Sequence, residues 1–107
     1  MVPCKIKVVE VSVNRKLADQ LHIFPLAPCP LYQAGREWIL RHYGRPLDLC
    51  ENAWTAIHRI VYAIMSGAGS DIGGRCWVED GKRAVVCCND GLRPVVFELT
   101  RLDAQPP

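Results

Sequence analysis

Three stretches of the chain carry side chains able to do chemistry. The first is DLCENAWTAIHRIVYAIMSG, Asp48 to Gly67, which holds Cys50 and His58. The second is the loop cysteine Cys29, set between two prolines. The third is the adjacent pair Cys87 and Cys88. A thiol near the start of a helix meets unpaired backbone N–H groups and the positive end of the helix dipole, and both favour thiolate. That would suit Cys50 as a nucleophile or a metal ligand. Cysteine is also among the most buried residue types and packs as a small hydrophobe. Cys50 continues the apolar stripe of Trp54, Ile57 and Val61, so the sequence leaves open a third role, that of a core residue.

The sequence places no base beside Cys50. His58 follows it by eight residues, about 12 Å along a helix and too far for a direct hydrogen bond. His22 and His42 lie in or near loops. Cys50 and His58 are therefore the candidate catalytic residues, but with no dyad spacing. Thr55 and Tyr62 share the polar stripe and would line a polar pocket or face solvent. No nucleophile elbow, P-loop or dinucleotide fingerprint is present. GAGSDIGG, Gly67 to Gly74, follows a helix, whereas a phosphate loop precedes one, so it reads as a flexible connection.

For a metal, the candidate ligands are Cys29, Cys50, Cys87 and Cys88. Close C-x-x-C pairs, the strong zinc signature, are missing. The cysteines could meet only through the fold, where thiolates would suit a soft transition metal or an iron–sulfur cluster. Cys87 and Cys88 point to opposite faces of a strand. In the register set by an Asp80-Gly81 turn, Cys76 lies opposite Val85. Cys87 then shares the face of Cys76, and Cys88 that of Val86. Which of Cys87 and Cys88 serves a site stays open.

The elements that must position these residues can be read from periodicity. Pro3 to Val13 reads as a strand whose apolar phase slips between Val8 and Val9, as a bulge would allow. Asn14 to Tyr32 reads as a short turn and then a loop constrained by Pro25, Pro28 and Pro30. Trp38 to Leu40 form a short strand entered through Gly35. A helix follows, with Asp48 as its cap, Glu51 completing a capping box and Gly67 as its stop. Trp54, Ile57, Val61 and Ile64 make its core stripe, widened by Ala53, Ala56, Ile60 and Ala63. Glu51, Thr55, His58 and Tyr62 make its polar stripe. Cys76 to Glu79 and Lys82 to Cys88 form a hairpin, and a last strand alternates through Val95, Phe97 and Leu99. The sum is a single α+β domain over residues 1–103, a small antiparallel sheet with one long helix packed on it, and a frayed tail over 104–107.

The matched stretches CP, GREW, LCENAW and VVCCNDGLRPVVFEL resemble a family of small bacterial and archaeal single-domain proteins. Its pattern has a loop Cys-Pro, a Cys-x-x-Ala-Trp helix start and a Val-x-Cys-Cys to Pro-Val-Val-Phe-Glu-Leu ending. The resemblance spans Cys29 to Leu102. Cys29, Cys50, Ala53, Trp54, Cys87, Cys88, Asp90, Pro94 and Phe97 match. Arg36 stands where aspartate is common, Glu51 replaces a common proline, and a Gly-His pair after Cys29 is missing. The resemblance implies the fold and singles out these cysteines; it brings no activity with it.

Composition sets the class. The chain has 107 residues, half of them hydrophobic, with 13 Lys and Arg against 11 Asp and Glu and a net charge of +2. The basic residues are scattered, and Arg36, Arg41 and Arg45 are the nearest to a cluster, so nucleic acid is not an expected partner. No apolar run reaches membrane-spanning length. Lys5, Lys7 and Glu10 interrupt the apolar residues near the N-terminus, unlike a secretory signal. The reading is a cytoplasmic protein whose six cysteines are reduced rather than paired. Three functions fit: a small thiol-site protein binding a soft metal or cluster, an accessory subunit docking on a larger enzyme (or a homo-oligomer), and a thiol enzyme with Cys50 as nucleophile.

Overall fold

The computed structural model describes residues 1–71, 76–78 and 81–103. Five strands form one antiparallel sheet in the order β2-β1-β5-β4-β3. They are β1 (Cys4–Val11), β2 (Glu37–Leu40), β3 (Trp77–Val78), β4 (Arg83–Cys87) and β5 (Val95–Arg101). Among the described residues, two α-helices, α1 (Arg15–Gln20) and α2 (Glu51–Ser66), and a short 3-10 turn (Gly69–Asp71) complete the α+β fold, with α2 packed on the sheet.

Alternation decides which face of the sheet is covered. Cys4, Ile6 and Val8 of β1, Trp38 and Leu40 of β2, Ala84 of β4 and Val95, Phe97 and Leu99 of β5 are all buried. They are in register across the ladders: Ile6 pairs with both Trp38 and Leu99, and Val8 with Phe97. The slip in β1 is a real irregularity, because the register with β5 shifts between Val8 and Glu10. The extra residue lets Val8 and Val11 both serve the covered side. The hairpin register is the expected one. Trp77 pairs with Ala84, and the Val85 N–H donates to the Cys76 carbonyl at 2.9 Å.

Helix α2 buries Ala53, Ile57, Ile60, Val61, Ala63, Ile64 and Met65. Gly67 ends it in the left-handed conformation, with φ at +84°. Trp54 departs from the expected stripe. It is only half-buried and lies on the flank of the helix, its ring 5.5 Å from that of Tyr43. The fully buried face of the helix is instead that of Ala53, Ile57, Val61 and Ile64.

The start of α2 also differs from expectation. Asp48 does not cap it. Its carboxylate accepts the Trp38 indole N–H at 2.8 Å and pairs with Arg36, so it ties the pre-helix loop to β2. Cys50 is the N-cap residue and makes no side-chain cap bond. The expected capping box is therefore absent, because a partner across the fold has taken Asp48.

The stretch read as a turn contains α1, capped by Asn14, whose side-chain oxygen accepts the Leu17 N–H at 3.1 Å. The glycines at 73–74, the Asp80 half of the hairpin turn and the tail over 104–107 lie outside the described residues.

Candidate functional site

One convergence of chemistry-bearing residues is built around Tyr32. This residue emerges from the proline-rich loop and is buried, with its ring edge-on to Trp38 at 5.5 Å and to Phe97 at 6.3 Å. These contacts anchor the loop to the sheet and fix the phenol oxygen, which accepts the Cys50 backbone N–H at 2.5 Å. One of the orphan donors at the helix start is thereby satisfied from across the fold.

Arg45 sets the approach to Cys50 from the other side. Its guanidinium donates to the carbonyls of Pro46, Leu47 and Leu49, at 3.4, 3.2 and 2.7 Å. Arg36, besides pairing with Asp48, lies over the Trp38 ring at 4.7 Å. Two of the three arginines of the basic group thus hold the loop that delivers Cys50.

Cys88 follows directly on β4. Its N–H donates to the Val95 carbonyl at 3.0 Å, and its sulfur accepts the Val95 N–H at 3.3 Å. The turn beyond it is built by Asp90, whose carboxylate accepts the N–H groups of Leu92 and Arg93, both at 2.9 Å. Those backbone donors, with the Arg93 guanidinium, hold the Asp90 carboxyl below the usual range. The Asn89 side chain donates to the Asn52 carbonyl at 3.2 Å, joining this turn to the first turn of α2.

Between these elements lies a cleft of about 740 Å³. Cys29 from the loop, Cys50 from the helix cap and Cys88 from the strand end all line it, with Tyr32 among them. Leu17, Leu21, Leu31 and Leu92 supply much of the wall, and Asn52, Asn89 and Arg93 supply polar atoms. Burial is the main influence pushing the Tyr32 phenol up. The bond from the Cys50 N–H opposes it, while Cys50, Cys29 and Asp48 add to the rise. Both thiols are therefore within electrostatic reach of one phenol, which stays protonated at neutral pH.

The structure separates the four candidate metal ligands. Cys29, Cys50 and Cys88 face the cleft, whereas Cys87 is exposed on β4 and does not line it. The strand around Cys87 withdraws water from its thiol and pushes its pKa up, and the neighbouring Cys88 acts in the same direction. Among the described residues no three His, Cys, Asp or Glu side chains stand close enough together to hold a metal ion as they are. Cys4 is fully buried in the core, and burial raises its thiol to about 12.

His58 is not in the cleft. Its Nδ1 lies 3.0 Å from the Tyr43 hydroxyl, and its ring lies 5.9 Å from that of Trp54. Tyr62 is exposed and packs edge-on to Tyr43 at 5.3 Å. Together these rings pin the loop after β2 to the flank of α2. Thr55, His22 and His42 are exposed and do not line the cleft. The cleft therefore contains thiols and a phenol but no imidazole. Tyr32 is the site residue that sequence reasoning missed. Its only signal was a large aromatic three residues after the loop cysteine.

Comparisons of the chain with protein-family models, with curated proteins and with solved structures find no match.

Proposed function

We propose that the protein is a small thiol-site protein that works through this cleft, taking a soft transition metal ion between the sulfurs of Cys29, Cys50 and Cys88. One observation carries the reading: three thiols from a loop, a helix cap and a strand end meet at a single cleft. Their sequence positions are far apart, and thiolates select soft ions over hard ones. The ion does not enter a finished cage. It draws the thiols inward, each turning about its own Cα–Cβ bond.

A nucleophilic enzyme is less well supported, since His58 is bonded to Tyr43 on another face and no other histidine lines the cleft. Titration of the reduced, anaerobic protein with cadmium tests the metal reading through the thiolate-to-metal absorption band. Saturation at one ion, with loss of the band in each of Cys29→Ser, Cys50→Ser and Cys88→Ser, is the expected outcome. A band that survives all three substitutions refutes it.

A further inference from the structure

The cleft is much larger than any single ion. Its volume of about 740 Å³ is that of a site for a small organic molecule. Its wall is largely apolar, formed by Leu17, Leu21, Leu31, Leu92 and Val95. Leu21 and Leu31 are 55% and 59% exposed, so two large apolar side chains stand in water at the edge of a thiol-lined hollow. Burial of an apolar group against them would be favourable. The described residues also lack any group of three side chains already placed to hold an ion. A centre that brings its own carbon ligand needs only two protein sulfurs.

We propose that the occupant of the cleft is a soft metal or metalloid centre that carries an apolar organic group, of the chemical class of trivalent aryl-arsenic compounds. Two thiols of the set Cys29, Cys50 and Cys88 bind the centre, and the organic group lies against the leucines. This deepens the soft-ion reading and rests on it. The step is a ligand exchange and needs no oxidant. With phenylarsine oxide, two sulfur–arsenic bonds form, the oxide oxygen leaves as water with the two thiol protons, the phenyl–arsenic bond stays intact and arsenic remains trivalent.

The test compares phenylarsine oxide with methylarsonous acid on the reduced full chain, each affinity normalised to that for free dithiothreitol. Both reagents engage two thiols and differ in the apolar group. The protein should favour the phenyl compound by about a hundredfold beyond the free dithiol, the worth of burying most of an aryl ring. The double variant Leu21→Ala, Leu31→Ala should lose about tenfold of that preference and leave methyl binding unchanged. Both positions are exposed, and the circular dichroism spectrum and melting temperature check that the fold persists. Cys87→Ser should leave phenyl binding intact. A phenyl-to-methyl ratio equal to that of the free dithiol overturns the inference, as does loss of phenyl binding in Cys87→Ser. If the preference is absent while cadmium still binds through the three cleft cysteines, only the organic group is ruled out. If neither reagent nor cadmium binds there, the soft-ion reading falls too.

Discussion

The Tyr32 hydroxyl accepts the backbone N–H of Cys50 at 2.5 Å, across 18 residues of sequence. This contact couples the loop that carries Cys29 to the helix cap that carries Cys50. It does so from a ring already fixed against Trp38 and Phe97. The relative placement of two cleft thiols is thus tied to the core.

Tyr32→Phe keeps the ring packing and removes the acceptor. The Cys50 N–H then loses its partner, at a cost of about 1–2 kcal/mol. Urea denaturation measures this, and the midpoint should fall with little change in slope. Tyr32→Ala should cost more, about 3–5 kcal/mol, because it also leaves a cavity beside Trp38 and Phe97.

Phe97 and Trp54 should rank in the order of their burial, not of their size. Phe97 is fully buried at the centre of the sheet, so Phe97→Ala should cost about 3–5 kcal/mol. Trp54 is partly buried against the edge of the core, and Trp54→Ala should cost less, roughly 1–2 kcal/mol. Equal losses in the two variants would show that the flank of α2 is as much a part of the core as the sheet.

The Trp38 indole N–H, followed by Arg36, holds the Asp48 carboxyl below its ordinary value of 3.8. A depressed carboxyl contributes stability above its unfolded pKa and loses it as pH falls through the lower folded value. Asp48→Asn should therefore be less stable than the parent at pH 6, and the gap should close on acidification below about pH 4. Denaturation midpoints at a series of pH values check this; a gap that persists unchanged to pH 2 would contradict it.

Cys4 works in the opposite direction. Burial raises its thiol from 9.0 to about 12, so the stability it contributes is complete below pH 9 and is lost as pH rises from there through 12. The loss amounts to about 4 kcal/mol at full ionisation. Cys4→Val removes this component, and its stability should fall less steeply than the parent's across that alkaline window. Comparative denaturation at pH 8 and pH 10.5 reads the difference.

The fold was legible wherever periodicity met a single covered face. Val95, Phe97 and Leu99 alternate and are all buried. The slip in β1 announced a bulge, and the hairpin register placed Cys87 and Cys88 on opposite faces. Local rules failed where a distant partner competed. Asp48 has the residue type and spacing of a cap, but its carboxylate is held by Trp38 and Arg36, and Cys50 takes the cap position. Trp54 has core spacing, yet it is only partly buried, at the edge of the core with its ring against Tyr43. Among the site residues, the expectation that Cys29 and Cys50 would meet one member of the Cys87–Cys88 pair rested on topology alone. Which member it is followed from strand parity once β4 was in place. Tyr32 could not be found, because its role depends on where a proline-bound loop folds.

The most direct test of the shared thiol site is residue-resolved alkylation, read by mass spectrometry at neutral pH on reduced protein with and without cadmium. Cys29, Cys50 and Cys88 should be protected together by the ion and become reactive together after a chelator. Cys87 should label independently of the metal, and Cys4 only on unfolding. Cadmium protection confined to Cys87 and Cys88, or labelling of Cys29 and Cys50 unaffected by the ion, would contradict the claim that the three cleft thiols act as one site.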